Sequence, residues 1–167
     1  MGSREHKAVA PHAVRFAIIT LSDKRTEATD TSGRIAREIL ERAGHKMVAY
    51  HFIPNDREKF GELLEELTSS PDVDAIITIG GTGISKRDIT VDVVLGKLEK
   101  KIEGFGELFR MLSYREIGSS AVLSRAIAGV IKEKVVICLP GSASGVKLAV
   151  TEILLSELGH MVWEARK

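Results

Sequence analysis

Apolar residues along the chain follow two alternating patterns, and the alternation predicts an α/β protein. Short runs rich in β-branched residues, at 14–21 and 74–79, are typical of buried strands. Segments with apolar residues three or four positions apart, at 30–45 and 56–70, are typical of amphipathic helices. The other predicted elements are a strand at 47–54 and helices at 89–100, 104–118 and 142–162.

The second half of the chain adds a predicted hairpin. Two short β runs within 126–139 are joined by Lys132, Glu133 and Lys134. The preceding segment "SSAVLSRA" fits neither a helix nor a strand pattern. Parallel strands joined by right-handed helical crossovers form a three-layer α/β/α sandwich, so we predict a mostly parallel sheet with one antiparallel strand. We expect a single domain over 13–167 after a flexible N-terminal arm at 1–12.

Composition narrows the class of protein. The 167 residues are 44% hydrophobic and 28% charged, with a net charge of +1, which argues against broad nucleic-acid binding. No apolar run approaches the roughly 20 residues of a membrane-spanning helix, so we predict no membrane association. Cys138 is the only cysteine, which excludes an intrachain disulfide and favours a reducing cytoplasm. Within its apolar run, Cys138 reads as a small buried hydrophobe.

The chain is depleted of side-chain amides. It contains no glutamine, and Asn55 is its single asparagine, while lysine, arginine and glutamate are plentiful. Few thermolabile amides beside abundant charge are typical of proteins from thermophiles. The composition therefore suggests an archaeal or thermophilic source as a hypothesis.

Four polar clusters follow predicted strands. Because ligands of open α/β sheets bind at the carboxyl ends of the strands, we expect these clusters to form one crevice. The five histidines show no metal-ligand spacing, and Trp163 reads as a packing anchor. The clusters are Ser22-Asp23, Asn55-Asp56, the loop 80–88, and Pro140-Gly141-Ser142.

The loop 80–88 has glycine at three of its first four positions. Glycines at Gly80, Gly81 and Gly83 let the backbone adopt positive φ and turn several N–H groups toward an anion. A tight packing turn between strand and helix explains the same glycines, so both interpretations stay open here. Two familiar phosphate motifs do not fit. Walker A fails on its spacing, and Lys86 occupies the third glycine position of the dinucleotide fingerprint.

Two aspartates at strand ends also have two interpretations each. Asp88 lies just before the predicted helix start at Ile89-Thr90, and Asp56 opens the helix at 56–70. Each carboxylate is suited to capping backbone N–H groups or to holding Mg²⁺ against phosphate oxygens. The spacing alone favours caps, and both aspartates have room to do both.

Six motifs occur in order along the chain: "LSD", "DTSG", "TIGGTGISKRDIT", "GFGELFR", "AVLSRAIAGV" and "LPGS". Together they resemble the MoaB/MogA family of molybdenum cofactor biosynthesis, to which gephyrin G domains belong. The resemblance covers nearly the whole chain, from about Val14 to His160. It implies a molybdopterin-binding α/β/α domain that assembles as a homotrimer or a hexamer.

Active members of that family are molybdopterin adenylyltransferases, so the resemblance implies a reaction as well. They transfer AMP from Mg-ATP to the terminal phosphate of molybdopterin and release pyrophosphate before molybdenum or tungsten insertion. The resemblance implies that Asp88 in "RDIT" and Asp56 in "IPND" are catalytic and bind Mg²⁺. It implies that substrates contact the motif residues Ser22, Asp23, Gly80, Gly81, Thr82, Gly83, Gly141 and Ser142.

Two other functions stay open beside adenylylation. A non-catalytic molybdopterin-binding or carrier protein would use the same fold, although the presence of both Asp56 and Asp88 favours the enzyme. An oligomeric scaffold has little support because no appended linker or second domain is visible. The expected partners are molybdopterin, ATP, copies of the same chain and, transiently, a metal-insertion enzyme.

Overall fold

One six-stranded sheet organises the protein, and the computed structural model describes residue 11 and residues 13–167 of it. The predicted arm at 1–12 therefore lies outside the described residues, apart from Pro11. The strands are β1 (Arg15–Leu21), β2 (Lys46–Ile53), β3 (Ala75–Ile79), β4 (Lys100–Lys101), β5 (Ile127–Ile131) and β6 (Lys134–Leu139). Their order in the sheet is β2-β1-β3-β6-β5-β4.

The predicted sandwich is confirmed, with β5 as the strand that runs against its neighbours β4 and β6. The other pairs, β1 with β2, β1 with β3 and β3 with β6, are parallel. The helices are α1 (Thr31–Arg42), α2 (Arg57–Ser69), α3 (Thr90–Leu95), α4 (Glu103–Ile117), α5 (Ala143–Ala149) and α6 (Leu155–Ala165). Short 3-10 turns lie at Glu27–Thr29 and Gly118–Leu123, and a π-helical segment, Val150–Leu154, joins α5 to α6.

Successive residues of the central strands face opposite layers because side chains alternate along a strand. Phe16 and Ile18 of β1 pack with α1, α4, α5 and α6, whereas Ala17 and Ile19 pack with α2 and α3. Every residue of β3 is buried, as a central parallel strand covered on both faces requires. The two helical layers thus cover both faces of the central strands.

Two elements differ from the sequence prediction. The predicted helix at 89–100 ends at Leu95, and the chain then forms the two-residue edge strand β4, which was not predicted. Lys100 and Lys101 are exposed and carry no apolar alternation, so their pairing with β5 leaves no sequence signal. The segment that fitted neither pattern forms the 3-10 turn at Gly118–Leu123.

The predicted hairpin is present between β5 and β6. Its turn residues Lys132 and Glu133 have φ of 47° and 62°, the left-handed values that a two-residue hairpin turn requires. In β6, Cys138 is fully buried, and burial raises the pKa of its thiol to about 12. The interpretation of Cys138 as a buried hydrophobe fits this environment. None of the described helices combines the length and apolar character needed to cross a membrane.

A buried carboxylate ties both ends of the described chain to the sheet. Asp74, just before β3, accepts hydrogen bonds from the Arg15 backbone N–H (2.7 Å) and the Arg15 guanidinium (2.8 Å). Arg166, after α6, donates to the same carboxylate. Burial alone would raise the pKa of Asp74, but the hydrogen bonds from the two arginines outweigh it and lower the pKa to about 2.

We expect Asp74→Asn to lower the free energy of unfolding by about 2–3 kcal/mol, because it leaves two arginines without their buried partner. The folded pKa lies below the unfolded value, so this stabilisation is complete above about pH 4 and is lost as the pH falls toward 2. Urea unfolding at pH 7 and at pH 3 measures both effects. Asp72→Asn is the matched control because its side chain is 81% exposed, and it should unfold as the wild type does. Equal stability of the two variants would contradict the assignment.

Candidate functional site

A cleft of about 610 Å³ opens at the carboxyl ends of β1, β3 and β6. It lies beside the boundary between β1 and β3, where the chain order of the sheet reverses because β2 and β3 flank β1 on opposite sides. Open α/β sheets bind ligands at such a boundary. The cleft brings together all the predicted site residues except Asp56 and Ser142.

The floor of the cleft is the glycine loop, residues 80–83, and its shape depends on missing side chains. Gly80 and Gly81 have φ of 95° and 64°, which other residues rarely adopt. A Cβ at Gly80 would lie 2.3 Å from the Leu21 carbonyl oxygen, and one at Gly81 would lie 2.4 Å from Thr90 Oγ1. The loop therefore packs so closely against its neighbours that no side chain fits at Gly80 or Gly81, which supports the tight-turn interpretation.

The carbonyl groups of this loop are held in place by other residues. Thr90, at the start of α3, donates its hydroxyl to the Gly80 carbonyl (2.8 Å) and its N–H to the Gly81 carbonyl (3.0 Å). Arg125 donates to the Gly83 carbonyl (3.3 Å) and forms an ion pair with Asp92 on α3 (2.6 Å). The hydrogen bond from Arg125 lowers the pKa of the Asp92 carboxyl, which keeps this pair charged.

The N–H groups of the same loop lack such partners. Within residue 11 and residues 13–167, no acceptor is found for the N–H of Gly81, Thr82 or Gly83. Buried backbone N–H groups are rarely left without an acceptor, and Thr82 is only 6% exposed. A loop whose glycine carbonyls all accept hydrogen bonds from the protein, and whose amides are available, is suited to bind an anion. This difference favours the anion-binding interpretation over the packing turn alone.

Asp88 lines the cleft and does not cap α3. The N-cap position of α3 is Ile89, and no side chain caps it. Asp88 Oδ2 instead accepts from the Ser85 backbone N–H (2.9 Å) and the Ser85 hydroxyl (2.6 Å). A Cβ at Gly83 would lie 2.7 Å from this oxygen, so the carboxylate stands at the Gly83 end of the floor. Asp88 Oδ1 accepts no hydrogen bond from a described residue.

Asp56, in contrast, caps a helix. Its Oδ1 accepts from the backbone N–H groups of Glu58 (3.0 Å) and Lys59 (3.1 Å), so it caps α2, and it does not line the cleft. Its neighbour Asn55 lines the cleft instead. Asp88 therefore lines the cleft and Asp56 does not, and the predicted catalytic role of Asp56 stays a prediction. Among the described residues no group of three or more His, Cys, Asp or Glu could together hold a metal ion.

Asp23 ties three loops together at the mouth of the cleft. Its Oδ2 accepts from Arg87 Nη2 (2.7 Å) and from Asn55 Nδ2 (3.1 Å), and its Oδ1 accepts from the Asn55 backbone N–H (2.9 Å). The bond from Arg87 and the two bonds from Asn55 lower the pKa of Asp23 to about 2. This carboxylate is fully used by the protein, so it supports the cleft wall by holding the loops.

The three remaining predicted residues, after β1 and β6, do not all line the cleft. Ser22 lines the cleft, and its Oγ accepts from the backbone N–H groups of Lys24 (3.3 Å) and Arg25 (3.1 Å). Gly141 also lines the cleft, but Ser142 caps α5 and faces a separate pocket of about 80 Å³.

The sequence analysis gave no individual role to several residues that shape the cleft. Lys24, Arg25 and Arg87 bring positive charge to its lining, and Asn55 joins the loop after β2 to Asp23. Lys24 and Arg25 directly follow the predicted "LSD" motif, so their position after a strand was an available signal. The contact between Arg125 and Gly83 spans 42 residues and left no local signal.

A family model described as "Probable molybdopterin binding domain" matches residues 17–160 of this chain. The chain belongs to the MoaB/MogA family. Molybdenum cofactor biosynthesis protein B of Bacillus cereus is 49% identical and that of Bacillus subtilis 44%, each alignment covering 100% of this chain and 99% of the relative. Membership in the MoaB/MogA family gives the protein a role in molybdenum cofactor biosynthesis.

Solved structures agree with this family and with the fold. A crystal structure of molybdenum cofactor biosynthesis protein B superposes with a TM-score of 0.89 at 50% identity, covering 94% of this chain and 98% of that one. The tungsten cofactor synthesizing protein MoaB from Pyrococcus furiosus gives 0.86 at 40% identity, covering 95% and 100%. A MogA structure gives 0.80 at 32% identity, covering 90% and 99%.

We expect Gly81→Ala to abolish anion binding in the cleft and to destabilise the fold by about 1–3 kcal/mol, because alanine strains the left-handed backbone and collides with Thr90. Gly61→Ala is the control, since Gly61 lies in α2 where an added Cβ meets no other atom within 4 Å and alanine favours helices. Calorimetric titration with pyrophosphate and thermal unfolding measure the two effects. Undiminished pyrophosphate binding by Gly81→Ala would show that the glycine loop does not bind the anion.

Proposed function

We propose that the protein is a molybdopterin adenylyltransferase, which transfers AMP from Mg-ATP to the terminal phosphate of molybdopterin. The observation that carries this proposal is the glycine loop, whose glycine carbonyls accept hydrogen bonds from the protein and whose amides at Gly81, Thr82 and Gly83 are available. Both substrates carry phosphate groups, and membership in the family makes molybdopterin the expected pterin substrate. The charged lining supports the same class of ligand, with three cations against two carboxylates.

The reaction is a displacement at the α-phosphorus of ATP. An oxygen of the molybdopterin phosphate forms a bond to that phosphorus, and the bond from phosphorus to the bridging oxygen breaks to release pyrophosphate. Little covalent chemistry is asked of the protein, so positioning and neutralisation of negative charge carry the rate. The loop amides and the cleft cations supply both.

Asp88 is the residue best suited to hold Mg²⁺ in this reaction. Its Oδ1 takes no hydrogen bond from a described residue, and Mg²⁺ combines one or two carboxylates with phosphate oxygens and water. The metal supplies charge neutralisation on the triphosphate. Asp56 uses Oδ1 for the α2 cap and does not line the cleft, so we assign it to the cap.

Asp88→Ala should reduce adenylylation at least about 10²-fold while molybdopterin still binds, because one ligand of the substrate-borne metal is lost. Pyrophosphate release and the formation of adenylylated pterin measure turnover, and anaerobic titration measures binding. Asp56→Ser is the matched variant, since serine keeps a cap but removes the carboxylate, and it should retain wild-type turnover. Full activity of Asp88→Ala would refute the role of Asp88 as a metal ligand. Loss of activity in Asp56→Ser would show that the Asp56 carboxylate takes part in the reaction.

A carrier protein is the second candidate, and one observation favours it. The cleft offers a single carboxylate oxygen without a hydrogen-bond partner where the sequence predicted two metal-binding aspartates. A protein that only stores or delivers molybdopterin needs the glycine loop and no metal ligand. Tight molybdopterin binding by the wild type without any pyrophosphate release from Mg-ATP would establish the carrier.

We further propose that the protein assembles into a homotrimer or hexamer in the cytoplasm and passes its product to a metal-insertion enzyme. Large apolar side chains are exposed on α4 and on the turn after it, which favours an interface. They include Tyr114, 63% exposed, and Val122, 80% exposed.

The double variant Tyr114→Glu and Val122→Glu should be a monomer, because two buried charges at an interface are strongly unfavourable. Light scattering coupled to size exclusion measures the mass of the assembly. Ala28→Glu, which adds a charge to the exposed 3-10 turn after β1, should leave the oligomer intact. An unchanged mass for the double variant would place the interface elsewhere.

A further inference from the structure

The three cations that line the cleft differ in how their charge is used. Arg87 forms an ion pair with Asp23. Lys24 donates its backbone N–H to Ser22 Oγ, and its side chain forms no ion pair with a described residue. Arg25 lines the cleft without forming an ion pair with any carboxylate of the described residues. Its guanidinium nonetheless has a fixed neighbour, since Nη1 donates to Ser32 Oγ at 3.3 Å.

Ser32 also connects Arg25 to the loop after β6. Its hydroxyl donates to the Gly141 carbonyl at 2.8 Å, which orients the oxygen that accepts from Arg25. A Cβ on Gly141 would lie 3.5 Å from Gly80 Cα and 3.8 Å from Arg25 Nη2. The guanidinium is therefore placed where the loops after β1, β3 and β6 meet. Glycine at 141 leaves space beside it.

The two ends of the glycine floor thus carry opposite charges. Arg25 stands at the Gly80 and Gly141 end, and Asp88 stands at the Gly83 end. A phosphate without a metal ion is repelled by a carboxylate and attracted by a guanidinium, whose planar fork matches phosphate oxygens. A phosphate that carries Mg²⁺ is instead attracted to the carboxylate end.

We propose that Arg25 binds a phosphate monoester that carries no metal ion, at the Gly80 and Gly141 end of the cleft. This inference rests on the proposed function, under which the monoester is the acceptor phosphate of molybdopterin. Mg-ATP then occupies the Asp88 end. Arg25 is a substrate-binding residue in this assignment, and Ser32 is the residue that positions it.

The first test compares the two ligands in separate titrations. Arg25→Gln should weaken anaerobic binding of molybdopterin, measured with EDTA, by about ten- to a hundredfold, as expected for lost charge-assisted hydrogen bonds. Its affinity for Mg-ATP should stay within about twofold of the wild type. The molybdopterin affinity of Arg25→Lys should lie between those of Arg25→Gln and the wild type, because lysine keeps the charge but lacks the paired donors of the guanidinium. Arg42→Gln, the same change at the far end of α1, is the control and should bind both ligands normally.

Two results would overturn the inference. Unchanged molybdopterin binding by Arg25→Gln would show that the guanidinium does not contact this phosphate. A larger loss for Mg-ATP than for molybdopterin would assign Arg25 to the nucleotide. If Arg25→Gln fails to fold, Arg25→Lys carries the same comparison.

A second measurement separates this inference from the proposed function. The side-chain Nε–H resonance of Arg25 should shift saturably when inorganic phosphate is added in EDTA, while that of Arg42 stays unchanged. A saturable shift together with no adenylylation by the wild type would leave the phosphate site standing and refute the enzyme. No shift at Arg25 would refute the phosphate site whatever the activity.

Discussion

The register of the parallel strands is the constraint on which the cleft depends. Thr20 of β1 lies beside Ile79 of β3, and Ile79 lies beside Leu139 of β6. The loops that follow these strands therefore leave the sheet at the same level. A shift of one residue in any pair would turn buried side chains to the other layer, and the two apolar cores prevent it. Core packing thus fixes the height at which the glycine loop, Asp23 and Gly141 meet.

Once the loops start together, ionic and hydrogen-bonding contacts decide their shape. Asp23 joins the loops after β1, β2 and β3 through Asn55 and Arg87, and Arg125 joins the glycine loop to the segment before β5. Thr90 and Arg125 hold the glycine carbonyls of the floor, while the N–H groups of residues 81–83 have no acceptor among the described residues. The charged side chains that hold the loops are thus separate from the backbone N–H groups that are available to a ligand.

Much of this fold could be predicted because its signals are local. Buried strands, amphipathic helices and the hairpin each show their own periodicity, and all of them are present. The edge strand β4 was missed because its two lysines pair through the backbone and bury nothing. The end of α3 at Leu95 was missed for a related reason, since the apolar pattern continues through Leu98 into the loop.

The position of the site could be predicted from the sequence, but the roles of Asp56 and Asp88 could not. Both Asp56 and Asp88 lie immediately before a helix, so spacing gave them the same two interpretations. The structure separates them, because Asp56 turns back onto the N–H groups of α2 while Asp88 turns toward Ser85. Asn55 and Asp56 are neighbours with different surroundings, and only the backbone path decides which one lines the cleft. The thermophile hypothesis from amide depletion stays a prediction.

The opposite charges at the two ends of the floor have a consequence for the proposed reaction. Displacement at phosphorus requires the attacking and leaving oxygens to lie roughly in line on opposite sides of the reacting atom. A cation at one end and a carboxylate suited to a metal at the other distinguish a bare phosphate from a metal-bound triphosphate by charge alone. The two substrates would then bind in one orientation, with the glycine amides between them where negative charge develops. Exchanging the charges of Arg25 and Asp88 would remove that orientation without changing the cleft's net charge, so the arrangement and not the total charge carries the specificity.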